Sequence, residues 1–427
     1  MGIAAGSLIN LASRVGAVAG VLALTTLAAR QGPDVQGAFA LFTSVEGLMV
    51  ALASGFGLAL ARRVSHHGEA PVALMSAIAL ACVALGILAS LGLGMLWAFG
   101  PPSYASVAWL ALAAPLLLIA PNLTGWWLGE GRMGPMALVT LAAPWGALAC
   151  VAVLSGLGFG GLEPVLAGWV IAKVMVALAL LGVLWRSGRL APPRFEALGP
   201  LLPFIAAIGL TNLVSLANYR VGLFVVEREL GLAATGIYSI AVIVAELMWF
   251  VSSAVTQAAY ARIGQPDRHT AVAVTVRVLQ LSLLALALAA LPLLGVAWVA
   301  LPALLGPDYA GSLLPLALLL PGVLLFGGAS SMSAYFTHHA GQPQVPARVA
   351  GLSLLLHGAL AWVGVPLLGV AGAALAATTA FVVAVMVLAR RFAREAGLPL
   401  RALWTPGPEL AGDLRALASR AMGRARR

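Results

Sequence analysis

The stretch 72–99, VALMSAIALACVALGILASLGLGMLWAF, decides the fold. It contains no charged residue, and the charge-free run around it extends from Glu69 to Glu130. About 20 apolar helical residues cover the ~30 Å hydrocarbon core of a bilayer, so a run of that length holds two crossings. A second run without Asp, Glu, Lys or Arg lies between Arg348 and Arg390. Across all 427 residues, charged side chains make up 9% and hydrophobic ones 62%, whereas a soluble domain carries about a quarter charged residues. The chain reads as an all-α polytopic membrane protein. No sizeable soluble domain fits, and the longest polar segment is the tail from Arg390 to Arg427.

Reading outward from that stretch gives twelve helices. They run roughly 8–29, 37–61, 72–99, 104–128, 133–157, 163–185, 203–226, 236–260, 276–303, 311–336, 346–366 and 370–391. Gly100-Pro101-Pro102-Ser103-Tyr104 serves as a tight turn between the third and fourth. The first apolar run continues past Arg14 to Ala29, which fits a span and not a cleaved signal peptide.

Arginines set the orientation. Alternate loops hold Arg62, Arg63, Arg132, Arg186, Arg189, Arg194, Arg262, Arg268, Arg277 and Arg348, together with the tail. The opposite loops hold only Arg30 and Arg228, against Asp34, Glu163, Glu227, Glu229 and Asp308. The positive-inside rule places the first set and both termini in the cytoplasm. The net charge of +10 is therefore a membrane-side charge and calls for no nucleic-acid partner. Cys82 and Cys150 lie in apolar stretches, which argues against a disulfide framework.

The chain also repeats itself. Gly37-Ala38-Phe39 opens the second span as Gly236-Ile237-Tyr238 opens the eighth, and Glu46 and Glu246 follow at nearly the same depth. Gly131-Arg132 precedes the fifth span as Gly341-Gln342 precedes the eleventh. The turns 157–161 and 368–372 then follow at matching distances. An offset of about 200 residues gives two six-helix units. Because six is even, both enter from the same side and are parallel repeats. The expected division is an N-terminal lobe 1–187, a cytoplasmic linker 188–202, a C-terminal lobe 203–392 and a basic cytoplasmic tail 393–427. In the tail, Leu410, Leu414 and Leu417 at helical spacing among arginines suggest a surface helix on anionic membrane lipids.

Ser13-Arg14-Val15-Gly16 resembles the start of the first helix in the multidrug/oligosaccharidyl-lipid/polysaccharide flippase superfamily. The stretch from Tyr238-Ser239-Ile240-Ala241 to Glu246-Leu247-Met248-Trp249 is similar to the eighth helix of its polysaccharide-biosynthesis, or O-antigen flippase, branch. Leu305-Gly306-Pro307-Asp308-Tyr309, Leu320-Pro321-Gly322-Val323, Gly341-Gln342-Pro343 and Gly369-Val370-Ala371-Gly372-Ala373-Ala374 follow that branch's second-half pattern in order. The resemblance implies a two-lobed alternating-access transporter in the bacterial inner membrane. It would move undecaprenyl-diphosphate-linked oligosaccharide for surface polysaccharide or lipopolysaccharide, beside glycosyltransferases and a polysaccharide polymerase. Lipid II is a poorer match, because its flippase has fourteen spans and a second first-helix arginine where this chain has Gly20.

Five charges fall inside spans: Arg14, Glu46, Lys173, Arg220 and Glu246. Each costs about 2.5–3.5 kcal/mol at a helix centre, so such residues face a watery cavity or pair with one another. In the functional reading, Arg14, Lys173 and Arg220 hold the diphosphate. In the other, Arg220–Glu246 and Arg14–Glu46 are structural ion pairs and Arg14 snorkels to the interface. Asn10, Asn218 and Gln257 either meet sugar hydroxyls or bond between helices.

Other motifs carry less. His66-His67 and His338-His339 read as solvated loop residues, not metal ligands. Asn122-Leu123-Thr124 matches a glycosylation sequon but lies inside a span. Lys173 follows Ala172, so it belongs to no phosphate-binding loop. No metal or cofactor is expected. Two alternatives to the flippase remain. One is a drug or cation antiporter of the same superfamily, working through Glu46 and Glu246. The other is a membrane-embedded glycosyltransferase or polymerase, disfavoured because the short outer loops cannot assemble acid–base groups. The chain is accordingly expected not to be an enzyme.

Overall fold

A bilayer offers the backbone no hydrogen-bond partners, so apolar runs must satisfy their own amides and carbonyls as helices. The computed structural model describes residues 3–67 and 72–405, and all regular structure among them is helical. In order, α1 is Ile3–Ala29. Helix α2 is Pro33–Ala53 followed, past a turn at Ser54, by Gly55–His67. Helix α3 is Val72–Phe99, and α4 joins Val107–Leu117, Ile119–Leu123 and Gly125–Gly129. Then come α5, Met133–Gly156, and α6, Leu162–Arg186. Helices α7 and α8 share the element Leu202–Glu246, which breaks at Gly231, and α8 continues through Met248–Ile263. Helix α9 is Arg268–Leu305, and α10 is Leu313–Gly328, extended by Ser330–Ala334 and Tyr335–His339. Helix α11 is Gln344–Leu368 and α12 is Val370–Ala396.

Eleven helical segments among the described residues are long and apolar enough to cross a membrane. One of them, Phe195–Gln257, has 63 residues. At 1.5 Å per residue that is about 95 Å, three times the hydrocarbon thickness. Its backbone turns at Gly231, where φ 81° and ψ −176° suit glycine alone. The segment therefore supplies two crossings, α7 and α8, and the total is the expected twelve.

Helix starts move outward from the sequence reading for local reasons. Helix α2 begins at Pro33, whose fixed φ suits a first turn, with Asp34 beside it. Helix α9 begins at Arg268 because Asp267 caps it, its Oδ2 accepting from the Thr270 amide at 2.9 Å and from the Thr270 hydroxyl. The Thr270 hydroxyl and amide hold the Asp267 carboxyl below the usual carboxylate range. The predicted turn after Phe99 is a short 3-10 turn at Pro102–Tyr104.

The chain forms two compact units. The first contains the described part of Met1–Ala217, with Leu230–Ile237 and Leu304–Gly306; the second contains Asn218–Glu229, Tyr238–Ala303 and the described part of Pro307–Arg427. In the first, Leu24, Phe39, Phe42, Leu110 and Trp169 form one core, and Phe56, Leu60, Met75, Ile78 and Trp126 form another. The linker joins this second core through Leu198. It is also bonded to α3, Ala191 N donating to Ser76 Oγ at 3.1 Å and Arg194 N to the Ala73 carbonyl at 3.4 Å. In the second unit, Leu279, Met332, Tyr335, Phe336 and Phe392 make the core, with Leu403 packed on it. The predicted tail helix at Leu410, Leu414 and Leu417 lies outside the described residues.

The outer faces are apolar. Leu88, Leu91, Met95, Trp97 and Phe99 of α3 are each more than half exposed. Such a ridge would drive aggregation in water and is at ease against acyl chains. The two arginines on the arginine-poor side are both engaged. Arg30 Nε donates to the Leu304 carbonyl at 2.8 Å, and the Arg228 guanidinium lies 4.5 Å from the Trp362 ring centre.

Candidate functional site

In the first unit the chemistry gathers on Glu46 of α2. On α6, Trp169 and Lys173 are four residues apart and so share a helix face. Both reach the same carboxylate: Lys173 Nζ lies 2.6 Å from Glu46 Oε1, and Trp169 Nε1 donates to Glu46 Oε2 at 2.6 Å. The ammonium also sits 4.1 Å from the Trp169 ring centre, a cation–π contact. Glu46 is buried, while Lys173 keeps about a quarter of its side-chain surface. The pair borders a cavity of about 240 Å³ that Thr124 and Thr140 also line.

In the second unit Arg220 of α7 grips Glu246 of α8 through two bonds, 2.8 Å to Oε1 and 3.1 Å to Oε2. Paired N–H donors on a carboxylate are the strongest geometry such a pair adopts. Beside it lie Tyr219, Tyr238, Trp249 and His357, around a void of about 20 Å³, room for a single water. His357 is buried, and its Nδ1 lies 2.8 Å from the Asn218 carbonyl oxygen. Neither Asn218 side-chain atom nor His357 Nε2 has a partner among the described residues.

The five intramembrane charges thus resolve into two pairs and one remainder. Arg14 is exposed on α1 and makes no ion pair among the described residues. Its alternative partner, Glu46, is taken by Lys173. Asn10 is half-buried one turn earlier, its carbonyl accepting from the Ser13 hydroxyl at 2.9 Å. Gln257 lines a separate cavity in the second unit. Asn122 is fully buried with its amide engaged, so its sequon is structural: Nδ2 donates to the Leu118 carbonyl and Oδ1 accepts from Gly57 N at 2.9 Å. No group of three potential metal ligands occurs among the described residues.

Sequence reading passed over Trp169 and His357. The first was detectable as the i−4 neighbour of the lone lysine. The second is the one titratable residue in the run between Arg348 and Arg390.

No family model matches the chain, and no curated protein matches it. Solved structures do. A multidrug-resistance MATE transporter of the MOP superfamily, in its inward-facing conformation, has TM-score 0.74 at 15% identity, over 91% of this chain and 98% of that one. The lipid II flippase MurJ in an inward closed conformation has TM-score 0.72 at 14% identity, over 93% and 89%. A MOP-superfamily transporter from Pyrococcus furiosus, described as having a binding pocket of reversed polarity, has TM-score 0.61 at 16% identity, over 94% and 95%. This chain therefore has the fold of the MOP-superfamily transporters and flippases.

Proposed function

We propose that the protein is a flippase for polyprenyl-diphosphate-linked oligosaccharide in the bacterial inner membrane, with both termini cytoplasmic. The observation that carries this reading is the distribution of intramembrane charge. Both carboxylates are already neutralised, Glu46 by Lys173 and Glu246 by Arg220. An organic cation would have to displace a tethered base from a contact of 2.6–2.8 Å to reach either. Among the described residues, the intramembrane charge left unpaired is a guanidinium, Arg14, which suits a diphosphate through paired hydrogen bonds. In this mechanism Arg14 meets the headgroup, the polyprenyl tail stays in lipid, and rocking of the repeats carries the glycan across. Glycosyltransferases would supply the cargo and a polymerase would consume it.

Replacement of Arg14 tests the reading. Arg14→Ala should abolish surface polysaccharide and leave lipid-linked precursor in the inner leaflet at unchanged protein level. Arg14→Lys should rescue only in part, since an ammonium keeps the charge but loses the two-pronged contact. Normal export by Arg14→Ala, with raised sensitivity to cationic drugs in Glu46→Gln or Glu246→Gln, would transfer the assignment to a drug antiporter.

A further inference from the structure

The second unit contains a cavity of about 420 Å³, bordered by α7, α8, α10, α11 and α12. Its size falls within the ~300–1,000 Å³ usual for small-molecule sites. None of its lining residues is charged. Instead α8 lays Ser252, Ser253, Thr256 and Gln257 along it, and α10 adds Ser330 and Thr337. Tyr219, Trp249 and Phe326 make an aromatic wall, with ring centres 4.5 Å apart for Tyr219–Trp249 and 6.0 Å for Tyr219–Phe326.

The hydrogen bonding inside the cavity has a definite polarity. Ser252 donates to the Trp249 carbonyl at 3.2 Å, Ser253 to the Phe250 carbonyl at 3.1 Å, and Thr337 to the Ser333 carbonyl at 2.9 Å. Thr256 and Ser330 bond each other at 2.7 Å, joining α8 to α10. A hydroxyl has one proton and two lone pairs. Ser252, Ser253 and Thr337 have thus committed their protons and offer a ligand acceptors, while one of Thr256 and Ser330 donates to the other and the second keeps its proton. The Gln257 side-chain amide, which also lines the cavity, offers a donor, whereas the Trp249 indole N–H is enclosed by protein without a partner among the described residues.

A ligand matching this wall needs several hydroxyl donors, at least one acceptor, an apolar face for the aromatic rings and no charge. A phosphate would meet no base here, and an organic cation would meet aromatic faces but no carboxylate to balance its charge, so competition by a cation is the decisive control. A pyranose meets every requirement, since its hydroxyls lie around the rim and its C–H bonds form a face that stacks on aromatic rings. We propose that this cavity binds an uncharged sugar ring of the cargo glycan. That role is separate from the phosphate contact assigned to Arg14, and it rests on the flippase reading.

The test is saturation-transfer NMR on the full-length protein in lipid nanodiscs, which avoid the sugar headgroups of maltoside detergents. The probes are neutral hexose and N-acetylhexosamine disaccharides, with ethidium as competitor. Wild-type protein should saturate the sugar ring protons, and ethidium should leave the signal unchanged. The double variant Thr256→Val/Ser330→Ala removes both partners of one hydrogen bond, so neither is left unsatisfied in the empty protein. It should lower the signal about tenfold, the effect of losing roughly one good hydrogen bond to the ligand. Gln257→Ala removes the amide donor from the lining and should also weaken the signal. Absent saturation in wild type, an unaltered signal in both variants, or displacement by ethidium would each overturn the assignment. Binding of sugar-free undecaprenyl diphosphate, measured in parallel, separates the two claims. Retained lipid binding without sugar binding removes only the cavity assignment, and loss of both removes the flippase reading as well.

Discussion

Glu46 and Glu246 lie at nearly the same depth of the second and eighth spans, yet their bases come from different helices. Lys173 reaches Glu46 from the last helix of its half, and Arg220 reaches Glu246 from the first helix of the other. Breaking a buried pair by removing one partner costs about 3–5 kcal/mol, because the orphaned charge stays in place; removing both is much milder. Arg220 and Glu246 each keep a fifth of their side-chain surface, which places them toward the lower end. Glu246→Gln should therefore lower thermal stability in nanodiscs, and adding Arg220→Gln should restore part of it. Purely additive losses in that double-mutant cycle would mean the two residues act separately. The five charges were legible in the sequence because a charge in an apolar helix is conspicuous. Their partners were legible in part: the pair Arg220–Glu246 was one reading of the sequence, whereas Glu46 pairs with Lys173 and not with Arg14. The choice between Arg14 and Lys173 for Glu46 depends on which helix faces meet, which a single sequence does not encode locally. Trp169, Ser252 and Thr256 stayed hidden because neutral polar residues inside spans more often serve as helix-to-helix contacts.

At the scale of elements, helix identity was legible and helix irregularity was not. Charge clusters and turn residues placed every span, but some ends were missed by up to eight residues, as at Arg268 against the expected 276. The break in α2 falls at Ser54-Gly55, a turn-prone pair that the span reading ran through, and Asn122 of α4 supports it by accepting from the Gly57 amide. Close helix contacts also rest on small residues. A Cβ on Gly236 would lie 1.9 Å from the Pro33 carbonyl oxygen, and one on Gly37 would lie 2.0 Å from that of Leu232. Neither carbonyl can move without shifting its helix. Gly236→Ala should thus cut the yield of monodisperse protein in size-exclusion chromatography severely. Gly351→Ala, where a Cβ meets nothing within 4 Å, should leave it intact. Equal yields from the two would show that α2 and α8 do not depend on this approach.

For the whole molecule, the arginine pattern predicts topology. Single cysteines placed at Gly188 and Gln265 should be protected from an impermeant thiol reagent in intact cells, and those at Asp34 and Asp308 labelled. The background must first lose Cys82 and Cys150, both free thiols. One inverted position would break the twelve-span arrangement and the repeat with it. The glycine contact carries a separate consequence. Gly37 meets the residue four before Gly236, and Gly236 meets the residue four before Gly37. Reciprocity of this kind is what a two-fold homodimer makes. A six-helix ancestor bearing one such glycine would have fitted a second copy of itself before any gene joined the two.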